Sequence, residues 1–113
     1  MAKYLIAVET NCADASREAE FNEWYDKIHL PDVLETPGFV RAIRYENTQP
    51  SKEKAKFLAL YEVETNDIEK FNKANAENMA KKRAAGRFSD LLVIGGRGFY
   101  KQISSVSRGK KVN

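Results

Sequence analysis

Alternating apolar and polar positions predict four β-strands along the chain. Residues 3–10, 39–46 and 57–63 are rich in β-branched and aromatic residues that recur at every second position. A fourth strand is predicted within residues 90–104, where three closely spaced glycines indicate a bulge or a bend. These glycines are Gly95, Gly96 and Gly98.

Two segments between the strands have helical periodicity. Residues 15–28 carry large apolar side chains at positions i, i+3, i+4 and i+7, which places them on one face of an amphipathic helix. They are Phe21, Trp24, Tyr25 and Ile28. We expect Pro31 to end this helix, because proline cannot donate to the helical ladder and disfavours helical geometry in the residue before it. A second helix is predicted over residues 67–85 and ends at Gly86.

The predicted order of elements is β-α-β-β-α-β. This order is typical of the α+β ferredoxin-like fold, in which two helices pack on one face of a four-stranded antiparallel sheet. A chain of 113 residues has the length of one domain. We assign residues 1–105 to this domain and residues 106–113 to a basic C-terminal tail.

Both faces of the predicted sheet are apolar. In the second strand, simple alternation places Phe39, Ile43 and Tyr45 on one face and Val40 and Ala42 on the other. The third strand has the same two-sided character. Because helices cover only one face of such a sheet, a partner must cover the other, and a homodimer is the simplest solution.

Composition and charge exclude several classes of protein. The formal net charge is +3, but acidic and basic residues are interspersed and the aromatic residues are expected in the core, which argues against nucleic-acid binding. No apolar run approaches the roughly 20 residues that span a membrane. We recognise no export signal, so a cytoplasmic location is expected. The single cysteine, Cys12, excludes an internal disulfide.

The same scarcity of ligating side chains argues against a bound cofactor. One histidine and one distant cysteine cannot form a histidine-rich or cysteine-rich metal site. The glycine-rich stretch at residues 95–98 lacks the spacing of a dinucleotide-binding motif. We therefore expect neither a metal nor a cofactor, although ligation of a haem by His29 alone stays open.

His29, the only histidine, is the main candidate for chemistry. On a helix it neighbours Tyr25 at i−4 and Asp26 at i−3, and a carboxylate beside an imidazole can prepare a general acid or base. We therefore assign catalytic roles to His29, Tyr25 and Asp26. The structural alternative is that His29 interacts with the last carbonyl groups of the helix. Asp32 is expected on the solvated surface.

Aromatic and basic residues elsewhere are candidates for substrate binding. A strand arginine that faces the interior can meet an anionic ligand, and buried aromatic side chains can pack against an apolar ligand. Trp24 has a competing interpretation as a plain core residue, because aromatics at helical spacing usually lie in the core. The residues assigned to substrate binding are Trp24, Phe39, Tyr61 and Arg97.

The stretch FNEWYDKIHLPDVLETPGFVRAIRY, residues 21–45, resembles the signature segment of the EthD-like branch of the dimeric α/β-barrel proteins. That segment has a Trp-Tyr pair, a histidine four residues beyond the tyrosine, then a proline and a Pro-Gly-Phe turn. The matching residues here are Trp24, Tyr25, His29, Pro31, Pro37, Gly38 and Phe39. The resemblance implies that sheets from two subunits form a barrel and that small hydrophobic compounds bind between sheet and helices.

The chemistry within this superfamily varies, so the resemblance does not select one reaction. Its members include cofactor-free monooxygenases, polyketide cyclases, dehydratases and haem-degrading enzymes. Our leading hypothesis is a cofactor-independent lyase, dehydratase, cyclase or isomerase acting on an aromatic or polyketide-like molecule, with His29 as general acid/base. The alternatives are a non-catalytic small-molecule binding protein and a cofactor-free monooxygenase.

Overall fold

The computed structural model describes residues 1–109, and residues 110–113 of the predicted basic tail lie outside this range. The four strands are β1 (Ala2–Cys12), β2 (Phe39–Glu46), β3 (Phe57–Thr65) and β4 (Leu92–Lys101). The α-helices are α1 (Glu18–Trp24), α2 (Leu30–Val33) and α3 (Ile68–Ala84). A 3-10 turn, Ala15–Arg17, precedes α1, and a π-helical turn, Tyr25–His29, joins α1 to α2.

The strands form one antiparallel sheet with the order β2-β3-β1-β4. The predicted ferredoxin-like fold is therefore confirmed. The hydrophobic core lies between one face of the sheet and the helices. Its buried members are Ile6, Phe21, Tyr25, Val33, Phe57, Ala59, Tyr61, Val63, Phe71 and Leu91. None of the helices within residues 1–109 is long and apolar enough to cross a membrane.

The predicted face assignment of β2 is wrong at its first residue. The pairing of β2 with β3 shifts register between Phe39 and Arg41, which leaves Val40 as the extra residue of a β-bulge. One extra residue inverts the alternation, because side chains point to opposite faces with a period of two. Phe39 consequently lies on the helix side with Ala42, and both pack against the core, whereas Ile43 and Tyr45 face away.

The helix that precedes His29 does not end at Pro31, contrary to the prediction. Leu30 donates its backbone N–H to the carbonyl oxygen of Tyr25, five residues back, so the turn Tyr25–His29 is wider than an α-helical turn. Pro31 follows at the start of α2, the part of a helix where its missing N–H costs least. The wide turn thus lets the chain stay helical through Val33.

Two predicted chain reversals are confirmed, and each uses a glycine with positive φ. Gly38 has φ +111°, and a Cβ at this position would lie 2.8 Å from the ring of Phe71. Gly86 has φ +73° and follows the end of α3. At the other end of α3, the Asp67 side chain caps the helix by accepting a hydrogen bond from the Lys70 N–H at 3.1 Å.

The sheet is bulged in β4 as the glycines predict, and the far face of the sheet has an apolar centre. Pairing between β1 and β4 skips Gly95, because Glu9 pairs with Gly96 and Thr10 with Ile94. The register places a second set of side chains on the face away from the helices. Partly or largely exposed members are Leu5, Ile43, Tyr45, Leu58, Leu60 and Tyr100.

Candidate functional site

A cavity of about 430 Å³ lies between the helix side of the sheet and the helices. Most of its lining is apolar and comes from β1, β4, α2 and α3. The polar side chains in the lining are Tyr25, His29, Tyr61, Asn75, Arg83 and Arg97. A mostly apolar cleft of this volume with a few polar groups is the usual form of a small-molecule site.

His29 forms one wall of the cavity and is enclosed by aromatic rings. Only 8% of it is exposed. The imidazole stacks on Trp24 with 4.8 Å between ring centroids, and it meets Tyr25 and Phe88 edge-on at 5.0 and 5.3 Å. Tyr25 and His29 are the first and last residues of the π-helical turn, and their rings meet on the same side of the helix.

Burial lowers the pKa of His29 to about 4, with the nearby Asp32 carboxylate raising it and Arg44 lowering it further. The imidazole is therefore uncharged at neutral pH and has a nitrogen lone pair available to accept a proton. His29 is not the last residue of the helix, because α2 continues for four residues beyond it.

Two tyrosine hydroxyls line the buried part of the cavity next to His29. Burial raises the pKa of Tyr25, and interactions with the Tyr61 hydroxyl and Arg44 offset part of that effect. Burial raises the pKa of Tyr61 strongly, and the neighbouring Tyr25 hydroxyl raises it further. Both phenols are therefore protonated at neutral pH. Because the two hydroxyls hydrogen-bond to each other, the pair has one O–H left to donate to a ligand oxygen.

The carboxylate that acts on His29 is Asp32 and not Asp26. The Asp26 carboxylate accepts a hydrogen bond from Arg44 at 3.0 Å, and it lies outside the residues that line the cavity. Asp32 is buried, so its predicted place on the solvated surface is wrong. Its two carboxylate oxygens accept hydrogen bonds from Arg87 at 2.6 and 3.1 Å. Because the helix continues past Pro31, Asp32 turns inward.

The predicted substrate-binding residues divide between the cavity and its support. Phe39, Tyr61 and Arg97 line the cavity. Trp24 lies behind His29 and donates its indole N–H to the backbone carbonyl of Arg87 at 2.9 Å, so it supports the imidazole instead of lining the space.

Sequence reasoning did not identify several residues that complete the site. Asn75, Met79 and Arg83 lie at i, i+4 and i+8 of α3 and line the cavity together. This spacing on one face of a predicted helix is visible in the sequence and could have identified them. The positions of Phe88 and Arg87 depend on the turn after Gly86, and no sequence pattern indicates that this turn reaches His29. Within residues 1–109, no group of three or more His, Cys, Asp or Glu side chains could hold a metal ion.

Comparison with known proteins gives the chain a family and a set of structural relatives. Residues 3–101 match the family described as "Domain of unknown function (DUF4286)". An EthD family protein from Bacillus halodurans C-125 is 25% identical, with a TM-score of 0.52 over 87% of this chain and 97% of that chain. Among curated proteins, no match is found.

Two further solved structures share the fold at lower identity. A dimeric ferredoxin-like protein from an uncultured marine organism is 17% identical, with a TM-score of 0.64 over 96% of this chain and all of that chain. SnoaB, a cofactor-independent oxygenase from Streptomyces nogalater, is 14% identical, with a TM-score of 0.59 over 97% of this chain and all of that chain. Together with the EthD relative, they confirm the resemblance to the EthD-like dimeric α/β-barrel proteins.

Proposed function

This chain belongs to the DUF4286 family, and we propose that it is a cofactor-independent enzyme that removes a proton from a hydrophobic aromatic or polyketide-like molecule. His29 is the base. One observation carries the proposal: the only histidine of the chain is buried, uncharged at neutral pH, and faces an apolar cavity beside two protonated tyrosine hydroxyls.

The proposed step uses the protonation states of these groups. The neutral imidazole of His29 accepts a proton from an acidic C–H or O–H group of the substrate, and an imidazolium and a delocalised anion result. Tyr25 or Tyr61 donates a hydrogen bond to the anionic oxygen. The ion pair stabilises the imidazolium, so the pKa of His29 rises as the proton arrives. Return of the proton to another atom gives isomerisation, and loss of a leaving group gives elimination.

Positioning of the imidazole falls to groups outside the reaction. Trp24 and Phe88 hold the ring plane, and the Asp32 carboxylate favours the protonated form of His29. The geometry supports Asp32, and not Asp26, as the carboxylate partner. The sequence predicted a general acid/base role for His29. In this proposal the resting, uncharged imidazole acts as the base.

A second candidate is a cofactor-free monooxygenase. The same proton removal would give an anion that reacts with dioxygen. The observation in its favour is the similarity of the fold to SnoaB, described as a cofactor-independent oxygenase. The two candidates differ in one measurable quantity, since only the second consumes dioxygen during turnover.

Proton removal can be tested without knowing the natural substrate. We would incubate the protein in D₂O with a panel of anthrones and cyclic β-diketones and follow exchange of the acidic carbon-bound hydrogen by NMR. We expect accelerated exchange for a subset, and His29→Gln should slow it by roughly 10²–10⁴-fold. The matched control Asp26→Asn, in a residue outside the cavity, should retain it.

The outcomes separate the three hypotheses. Exchange that is unaffected by His29→Gln would exclude His29 as the base. Compounds that bind without any exchange would make the chain a carrier. Exchange accompanied by dioxygen uptake in an oxygen electrode would favour the monooxygenase.

The assembly in this proposal is a homodimer. The apolar far face of the sheet needs a cover, and one of the structural relatives is described as a dimeric ferredoxin-like protein. Sedimentation velocity at micromolar concentration should give a dimer. A stable monomer there would contradict the proposal.

A further inference from the structure

The arginines of the folded domain fall into two groups according to their partners. Within residues 1–101, four arginines pair with a carboxylate, and all four lie outside the cavity. They are Arg17, Arg41, Arg44 and Arg87. The other two, Arg83 and Arg97, line the cavity, and neither has a carboxylate partner among the described residues. The unpaired positive charges of the domain's arginines are thus concentrated at one site.

The rest of the cavity does not compensate these two charges. The residues that line it include no aspartate or glutamate, and the remaining polar groups are uncharged. We propose that the ligand carries a carboxylate group, which Arg83 and Arg97 bind, on an aromatic or polyketide-like body that fills the apolar part of the cavity. This inference deepens the proposed function, and it depends on that function only for the choice of this cavity as the substrate site.

The exposure of the two arginines indicates how the ligand lies. Arg83 and Arg97 are exposed, on α3 and β4 respectively, whereas His29 and Tyr25 are buried. The carboxylate therefore lies at the mouth and the reacting atom lies inside, against the imidazole. The guanidinium of Arg83 lies 4.5 Å from the ring centroid of Phe88, which itself packs on His29, so the anion site and the base share one aromatic side chain.

A carboxylate fits these groups better than a phosphate. Arg83 lies in the last turn of α3, where the negative end of the helix dipole opposes a second negative charge. A planar carboxylate matches the planar guanidinium in a two-point hydrogen bond. A body of two or three fused rings is also in keeping with a cavity of about 430 Å³.

Calorimetric titration with matched probes tests the charge requirement. The probes are 2-naphthoate, its neutral methyl ester and 2-naphthyl phosphate, supplemented by one-ring and three-ring carboxylates with their esters. We expect the carboxylate of the best-fitting pair to bind at least about tenfold more tightly than its ester, the size expected for a hydrogen bond to a charged group. The phosphate should bind more weakly than the corresponding carboxylate.

Charge-matched variants locate the effect. Arg83→Gln and Arg97→Gln should each weaken carboxylate binding by about tenfold and leave ester binding unchanged. Arg17→Gln removes the same charge from a surface pair with Glu20 and should change neither. The inference is overturned if carboxylate and ester bind equally, if phosphate binds best, if the variants have no effect, or if no carboxylate binds at millimolar concentration.

Failure of this inference and failure of the proposed function give different results. His29→Gln should retain arginine-dependent carboxylate binding while it loses hydrogen exchange. If the unmodified protein binds carboxylates but catalyses no hydrogen exchange, the anion site is supported and the proposed enzymatic activity is excluded. Hydrogen exchange in neutral compounds, with no effect of the arginine variants on binding, would support the enzyme and exclude the anion site.

Discussion

Two sides of the cavity are built in contrasting ways. The aromatic wall is formed by Tyr25, His29 and Phe88, with Trp24 behind it. It is buried or half-buried and held by ring contacts and by a hydrogen bond from the indole to the loop after α3. The rim on β4, formed by Ile94, Arg97 and Phe99, is exposed, and Phe99 is 66% accessible. The wall is complete within one chain, whereas the rim is open.

This difference separates two tasks that a binding site must perform. Desolvation in the wall keeps the imidazole neutral, which needs close packing and no partner. The rim leaves a charged group and apolar side chains exposed to solvent, where they can bind a ligand. Changes in the wall should therefore affect stability and the pKa of His29, and changes in the rim should affect binding alone.

The largest expected effect comes from removing a ring that supports the wall. Phe21 is fully buried and packs within 6.1 Å, centroid to centroid, of Trp24, Tyr25 and Phe57. Phe21→Ala should lower the free energy of unfolding by about 3–5 kcal/mol, because it leaves a cavity in the core. Phe99→Ala at the rim is the matched control and should cost less than about 1 kcal/mol. Equal losses in urea unfolding would abolish the distinction between wall and rim.

Acid should destabilise the wall through His29. Because the pKa of His29 is lowered to about 4, the unfolded chain takes up the proton near pH 6.5 before the folded chain does. The stabilisation is complete above pH 6.5 and is lost as the pH falls towards 4, by up to roughly 3 kcal/mol.

The slope of unfolding free energy against pH isolates this contribution. His29→Gln lacks the titrating ring, so the difference between wild type and variant should change between pH 6.5 and 4 and stay flat above that range. Parallel curves would show that the imidazole titrates normally.

Asp32→Asn should have a smaller effect on stability and a specific one on His29. The change weakens a buried, two-point interaction with Arg87, whose side chain is 46% exposed, and we expect a loss of about 1–2 kcal/mol. It also removes the charge that raises the pKa of His29, so this pKa should fall further. The NMR signals of the only histidine measure it directly. Asp26→Asn is the control, and an equal pKa change there would return the positioning role to Asp26.

The smallest effect is expected at the rim. Arg97→Gln removes an exposed charge that has no carboxylate partner among residues 1–109, and it should change the free energy of unfolding by less than about 0.5 kcal/mol. Thermal unfolding compared with Arg17→Gln provides the measurement. A larger loss would mean that Arg97 supports the fold, and its effect on ligands could not then be read as binding.

The sequence predicted the order of elements because periodicity records which faces are buried. It could not predict the face of Phe39, since the bulge at Val40 depends on pairing with β3 and leaves no local sign. The prediction that the helix ends at Pro31 failed because the sequence shows no sign of the wide turn before this proline. A proline normally ends a helix, and the wide turn keeps the chain helical here.

For the site, the sequence indicated His29, Tyr25, Phe39, Tyr61 and Arg97, all of which line the cavity. It indicated Asp26 as the carboxylate beside His29, whereas Asp32 is the one that raises the pKa of His29. The i−3 position of Asp26 is a neighbour on an ideal α-helix, and the π-helical turn changes that geometry. Arg83, Phe88 and Arg87 come from the end of α3 and the loop after it. These residues come close to His29 through tertiary packing, which local sequence patterns do not indicate.

The stacking of Trp24 on His29 gives the molecule an internal optical signal. Trp24 is the only tryptophan, and its ring lies 4.8 Å from the imidazole. An imidazolium quenches indole fluorescence far more than a neutral imidazole does. The emission of the unlabelled protein should therefore dim when the base takes up its proton, whether acid or a substrate delivers it, and a single cuvette can follow the resting and the protonated site in real time.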